Sequence, residues 1–253
     1  MQQSRFVWYE LMTNDTAAAK EFYGKVVGWT MQDLPGPAMT YTMLNAGGVD
    51  VGGLMAFPPG VCGPDAKPAW LGYVGVDDVD AAAAQLEKLG GKVHRTPCDI
   101  PNVGRFAVVA DPQGAVFYLF RPSQSGGPEP DPAPGRICWR ELHASDWPAA
   151  FEFYSAMFGW QKGQAMDMGP MGTYQLFTID GAGAGAMFNS PAAQQARFWL
   201  FYFIVEDIDA AVARVTAAGG KILMGPAPVP ENRWIVQATD PQGAMFALLG
   251  TRE

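Results

Sequence analysis

The sequence predicts an α+β fold of two tandem domains, each a strand, a helix and three strands followed by the same unit again. Three observations predict it. First, the 253-residue chain contains itself twice. Trp8 to Trp29 (WYELMTNDTAAAKEFYGKVVGW) and Trp139 to Trp160 (WRELHASDWPAAFEFYSAMFGW) agree at eleven of 22 positions with a constant offset of 131. The match returns at an offset of 129, with VDDVDAAAA from Val76 against VEDIDAAVA from Val205, Gly90-Gly91-Lys92 against Gly219-Gly220-Lys221, and DPQGA from Asp111 and from Asp240. A repeat of this length fixes the domain count before any element is assigned. Second, Pro122 to Gly135 holds five Pro and three Gly with almost no apolar residue, which is a linker composition. The domains are therefore 1–121 and 136–253, joined by 122–135, and each is large enough for its own core. Third, the apolar spacing alternates between strand and helix periods in the same order in both copies.

The elements follow in order. Phe6 to Met12 is rich in aromatic and branched residues and ends at Asn14-Asp15, as a strand does. Asp15 is placed to cap a helix from Thr16 to Val27, with Ala19, Phe22, Tyr23 and Val26 on one face and Gly28 as its left-handed stop. Asp146, followed by Pro148, opens the equivalent helix, which stops at Gly159. Short strands follow around Tyr41 to Leu44 and Val51 to Met55. The second unit opens with a strand from Trp70 to Val76 and a helix from Asp78 or Asp80 to Leu89, stopped by Gly90-Gly91. Strands near Lys92 to His94, Phe106 to Ala110 and Val116 to Phe120 complete it, the last two joined by the turn Asp111-Pro112-Gln113-Gly114.

Composition narrows the partners. With 49% hydrophobic and 17% charged residues the chain is neither disordered nor collagen-like. No apolar run approaches the roughly 18 residues of a spanning helix, and Met-Gln-Gln-Ser-Arg-Phe lacks the apolar core of a secretory signal. The expectation is a cytoplasmic protein with no membrane partner. A net charge of −8 and the lack of a basic run set it against nucleic acid. Cys62, Cys98 and Cys138 are three, far apart and without a C-x-x-C pair, so they read as reduced thiols and small buried hydrophobes. No glycine-rich phosphate loop opens a helix, since Gly181 to Gly185 lies between strands, and there is no G-x-S-x-G elbow.

Four motifs recur in one order in both copies: the aromatic first strand, Asp15 with Phe22-Tyr23 and Gly28-Trp29, the VDDVDAA helix start with its glycine pair, and the DPQG turn. With them the chain resembles the vicinal oxygen chelate superfamily of glyoxalase I, bleomycin-resistance proteins, fosfomycin-resistance enzymes and extradiol dioxygenases. Within it, the W-x-E-L strand and DPQGA turn look like those of tandem glyoxalase-like proteins related to a mycobacterial 27 kDa antigen. The resemblance implies paired βαβββ modules whose curved mixed sheet forms a cup for a ligand, often with a divalent metal that chelates two neighbouring substrate oxygens. It places the metal ligands at Trp8, Leu71 and Tyr118 in the first domain and at Trp139, Leu200 and Ala247 in the second. None of these can bind Zn²⁺, Ni²⁺, Fe²⁺ or Mn²⁺, which take imidazole, carboxylate or thiolate. No cofactor is expected from that site.

Other residues share the same strand faces. Side chains alternate along a strand, so Trp8, Glu10 and Met12 point one way, as do Trp139, Glu141 and His143. A carboxylate in an aromatic wall is partly desolvated, which suits Glu10 and Glu141 to general acid/base work or to a ligand hydrogen bond. The competing reading is that each bonds a neighbouring strand, an Arg or a Tyr. Glu141 and His143 are also spaced to supply two ligands to a displaced divalent metal, although Met12 stands at the matching place and no third ligand is apparent. His94 reads as a surface strand residue.

Counted from the family ligand positions, Trp8, Tyr73, Tyr118, Trp139 and Tyr202 fall on the cup face. They form either a wall for a flat ligand or ordinary core. Arg105 and Arg233 lie where they would reach an anionic group at the cup mouth, or else are solvated. The loops Pro35 to Met39 and Met168 to Met171 match each other as lids. The expected function is binding of a small aromatic or carbonyl-bearing molecule without the family metal. The alternative is a metal-dependent lyase or dioxygenase of the glyoxalase type using Glu141 and His143. The sequence leaves the oligomeric state open.

Overall fold

A computed structural model of the chain describes residues 4–36, 39–58, 66–124, 131–190 and 197–252. Cys62, Pro37, Ala38 and residues 125–130 of the linker lie outside the described residues. The first repeat folds as β1 (Phe6–Thr13), α1 (Thr16–Val26), β2 (Thr30–Pro35), β3 (Thr40–Ala46), β4 (Val49–Ala56), β5 (Ala69–Gly75), α2 (Val79–Lys88), β6 (Lys92–Ile100), β7 (Gly104–Ala110) and β8 (Val116–Pro122). The second folds as β9 (Ile137–Ala144), α3 (Trp147–Phe158), β10 (Gln161–Asp167), a 3₁₀ turn (Gly169–Met171), β11 (Thr173–Ile179), β12 (Ala182–Asn189), β13 (Phe198–Asp207), α4 (Ile208–Ala217), β14 (Lys221–Val229), β15 (Arg233–Thr239) and β16 (Met245–Thr251). Among the described residues no helix is long and apolar enough to cross a membrane.

Each repeat builds one eight-stranded, curved mixed sheet. The hydrogen-bonded orders are β2-β3-β4-β1-β5-β8-β7-β6 and β10-β11-β12-β9-β13-β16-β15-β14. The mixed character comes from the crossover helices. β1 pairs with β4, β12 with β9, β5 with β8 and β13 with β16 in parallel, while the hairpin-connected strands run antiparallel.

The α-helices α1 to α4 each start on an aspartate. Asp15, Asp78 and Asp146 accept from the backbone N–H three residues on, at 3.0, 3.0 and 3.1 Å, and Asp207 accepts from those of Asp209 and Ala210. Such a cap contributes about 1 kcal/mol and removes an unpaired donor from the first turn. Gly159 closes α3 at φ 74°, a left-handed backbone that a residue with a Cβ adopts at a cost.

The densest packing divides the chain into two compact units, each taking one half of each repeat. One holds Met1–Val7, Leu71–Glu129 and Arg140–Trp199. In its core Trp160 stacks on Tyr154 (5.2 Å, 6°) and on Phe177 (4.7 Å, 10°), with Phe117 against Tyr154. The Tyr154 hydroxyl donates to Asp111 Oδ2 at 3.1 Å and accepts from Trp199 Nε1 at 3.0 Å. The other unit holds Trp8–Trp70, Pro130–Trp139 and Leu200–Glu253. Its core repeats the pattern: Tyr23 donates to Asp240 Oδ2 at 3.2 Å and accepts from Trp70 Nε1 at 2.8 Å, and Trp29 and Trp70 pack on Phe203.

The aspartate of each DPQG turn therefore has two duties. Asp111 Oδ1 accepts from the backbone N–H of Gln113 and Ala115, which shapes the turn, and Oδ2 takes the buried tyrosine. Burial pushes the Asp111 and Asp240 carboxyls above the ordinary carboxylate range, against the pull of these hydrogen bonds. Burial likewise holds the Tyr23 and Tyr154 hydroxyls well above the usual tyrosine range, with the facing aspartate adding to the shift.

Candidate functional site

A polar cluster on a sheet face lies within the unit that contains Arg140–Trp199. Strand alternation on β9 sends Leu142 and Ala144 to one side and Glu141 and His143 to the other. Trp199 fixes which side is which. Its indole bonds Tyr154 of α3, so its neighbour Phe198 projects from the face away from the helix. His143 stacks on Phe198 with ring centroids 4.4 Å apart and planes at 16°, so it shares that face.

Register then assembles the site. In the parallel pairing of β12 with β9, Phe188 lies opposite His143, and in the antiparallel pairing of β11 with β12, Tyr174 lies opposite Phe188. Cross-strand partners on one face are direct neighbours, so Tyr174, Phe188 and His143 form a row across three strands. Phe188 meets the His143 ring edge-on at 4.7 Å. Glu141, two residues back along β9, accepts from both ends of this row. The Tyr174 hydroxyl donates to its Oε2 at 2.7 Å, and its Oε1 lies 3.0 Å from His143 Nε2.

These contacts assign the imidazole. An ionised carboxylate only accepts, so Nε2 carries a proton, and in the neutral imidazole Nδ1 then presents a lone pair, an assignment made from the hydrogen-bond network. His143 is 4% exposed, yet Nδ1 has no hydrogen-bond partner among the described residues. A buried acceptor in that state costs about 1–3 kcal/mol. The walls around it are more open, since Tyr174, Phe188 and Phe198 are each only half-buried. The arrangement holds an imidazole in one orientation with its Nδ1 buried and unpaired among the described residues.

The other sequence-predicted residues are placed as follows. Glu10 is buried on β1 opposite Gly53 of β4. Trp8 donates from Nε1 to the Tyr41 hydroxyl at 2.8 Å, and a Cβ on Gly53 would collide with that hydroxyl. Tyr73 and Tyr118 are buried and stacked face to face at 4.1 Å and 1°. Tyr202 accepts from Gln237 Nε2 at 3.0 Å, and Trp139 is half-buried on β9. Arg105 is bound to Asp80 and Asp99 at the surface, as a solvated arginine would be. His94 is exposed on β6. Met168 precedes the 3₁₀ turn, Met171 ends it, and both are exposed. Tyr174, Phe188 and Phe198 were not foreseen as site residues. Tyr174 had a signal, because Tyr41 precedes it in the first repeat at nearly the repeat offset. The two phenylalanines had none beyond strand parity.

The family metal does not fit these residues. Trp8, Leu71, Tyr118, Trp139, Leu200 and Ala247 offer no strong ligand to a divalent ion. Glu141 and His143 are turned toward each other, and the carboxylate's second oxygen is held by Tyr174. Among the described residues no group of three or more His, Cys, Asp or Glu converges to hold a metal ion.

The profile of the Glyoxalase/Bleomycin resistance protein/Dioxygenase superfamily matches residues 5–119 and again residues 136–248. The putative glyoxylase CFP32 of Mycobacterium bovis is 33% identical over 245 residues, covering 96% of this chain and 93% of that protein. The anthracycline biosynthesis protein DnrV of Streptomyces peucetius is 32% identical over 259 residues, covering 97% of this chain and 93% of that protein. Among solved structures, the Mn(II)-bound glyoxalase from Novosphingobium aromaticivorans aligns with a TM-score of 0.67 and 19% identity over 100% of this chain and 83% of its own. A variant of homoprotocatechuate 2,3-dioxygenase from B. fuscum in complex with HPCA aligns with a TM-score of 0.69 and 16% identity over 100% of this chain and 72% of its own. At these identities the likeness to the solved structures is one of fold.

Proposed function

We propose, from the premise that the chain belongs to the Glyoxalase/Bleomycin resistance protein/Dioxygenase superfamily, that it binds a small aromatic or carbonyl-bearing molecule without a metal such as the Mn(II) of the Novosphingobium aromaticivorans glyoxalase. The observation that carries this reading is the Glu141–His143–Tyr174 cluster, a buried polar anchor with one free nitrogen among half-buried aromatic rings. Small-molecule sites are mostly apolar with a few fixed polar groups, and this cluster has that composition. The residues at the six family ligand positions support the metal-independent part. With a carboxylate and an imidazole aligned, the same site can act as a binding protein or move a proton on its ligand through Glu141 and His143. Glu10 is the corresponding candidate in the first repeat.

A melting-temperature screen of planar aromatic and carbonyl compounds, run with and without EDTA, tests it. A ligand at 100 times its Kd adds about 2.7 kcal/mol, which for a chain of this size raises Tm by about 5–11 °C. Hits that persist in chelator are expected. Silence across the panel, or hits that vanish with chelator and return with Mn²⁺ or Zn²⁺, would overturn the reading, and the second result would favour the metal-dependent lyase or dioxygenase.

A further inference from the structure

We propose that Nδ1 of His143 accepts a hydrogen bond from a hydroxyl group on a planar aromatic ligand, so that the second repeat carries one working site per chain and selects phenols over their ethers. The proposal rests on the reading above and deepens it.

Three observations lead to it. First, the imidazole is locked. Nε2 is held by Glu141, whose other oxygen is held by Tyr174, and the ring lies flat on Phe198 with Phe188 at its edge. The lone pair on Nδ1 therefore has a fixed direction, and it is the histidine atom left without a partner. A buried acceptor is matched only by a donor. Carbonyl, ether and carboxylate oxygens on a ligand are acceptors and do not serve. A hydroxyl does, and it adds a single atom to a ring, which suits a site crowded by aromatic side chains.

Second, the neighbouring side chains are aromatic and not fully buried. Tyr174, Phe188 and Phe198 are each half-buried, and aromatic faces and edges favour another planar ring. Third, the two repeats have diverged at this point. Met12 occupies in the first repeat the place His143 has in the second, and a thioether is a poor acceptor. There Trp8 and Tyr41 bond each other over Gly53, where the second repeat has Ala186 opposite Glu141.

The experiment compares 1-naphthol with 1-methoxynaphthalene by titration calorimetry on the full chain. Wild type is expected to bind one naphthol per chain about tenfold more tightly than the ether, the scale of one hydrogen bond to an otherwise unmatched buried group. His143→Met, which installs the residue the first repeat already tolerates, should erase the preference. His143→Asn keeps an acceptor near the Nδ1 position and should restore part of the preference. If one variant fails to fold by near-ultraviolet circular dichroism, the other decides. Equal binding of both probes by wild type, or a preference that survives His143→Met, overturns the assignment and leaves the cup reading standing. The same holds if neither naphthalene binds while other compounds raise Tm. If no compound of any class binds, both fall.

Discussion

Tyr154→Phe removes one oxygen from the centre of a buried network. Tyr154 is fully buried, its hydroxyl donates to Asp111 Oδ2, and it accepts from Trp199 Nε1. Phenylalanine fills the same volume, so no cavity term arises and the effect is the loss of two hydrogen bonds. Asp111 and Trp199 are both at most 3% exposed, so water does not replace the lost partner. Leaving a buried polar group unmatched costs about 1–3 kcal/mol, and two such groups with some relaxation give about 3 kcal/mol. In a chain of this size that lowers Tm by about 6–12 °C. Urea unfolding followed by tryptophan fluorescence and by far-ultraviolet circular dichroism measures it. A double-mutant cycle with Trp199→Phe should return a coupling of about 1 kcal/mol, since each substitution removes the same bond. A loss under about 0.5 kcal/mol, the range of ordinary surface changes, or strict additivity in the cycle would refute the view that this network holds the unit together.

Further expectations follow from other parts of the molecule. Asp111 and Asp240 are held above the ordinary carboxylate range by burial, so the folded state binds their protons more readily than the unfolded state. Their contribution favours folding below the unfolded value and is lost as pH rises through the folded one; the slope of Tm between pH 4 and neutrality should therefore be more negative in wild type than in the Asp111→Asn/Asp240→Asn double variant, and equal slopes would contradict this. Gly53→Ala forces Tyr41 off β4 and breaks its bond to Trp8, and should cost about 1–3 kcal/mol by overpacking, read as a lower urea midpoint at unchanged m-value. Mass spectrometry after soaking with Zn²⁺, Ni²⁺, Fe²⁺ and Mn²⁺ should find no stoichiometric metal, whereas near-stoichiometric retention would show that Glu141 and His143 rearrange to hold one.

Much of the architecture was legible because it rests on local chemistry. Asp15 and Asp146 cap helices within three residues of themselves, as does Asp78, one of the two starts read for α2, and Gly28 and Gly159 stop helices with positive φ, so the code for each element lies inside it. β2 was not individually legible: it is an edge strand, exposed at five of its six positions, and shows no alternation of apolar residues. Strands β6 and β14 run longer than their apolar residues indicate, through Pro97 and Pro226, because each lies on an edge where a missing N–H breaks no ladder on its outer side. For the site, strand parity correctly paired Glu141 with His143. It left open whether Glu141 meets a Tyr, which the structure answers with Tyr174, 33 residues away. Likewise the DPQG motif reads as a turn from sequence, and its second duty toward a tyrosine 43 residues off depends on register that local spacing does not encode.

The exchange of halves between the repeats also orders the events of synthesis. Every segment of one unit has been made once Trp199 leaves the ribosome. The other began at Trp8, yet its closing segment runs from Leu200 to the C-terminus. Phe22, Tyr23, Trp29 and Trp70 are therefore made early and stay without Phe203 and Phe246, the rings they finally pack against, until the last fifth of the chain arrives. The nascent protein carries an uncovered aromatic surface through most of its translation, and the unit whose first long segment, Trp8–Trp70, is made earliest is finished last.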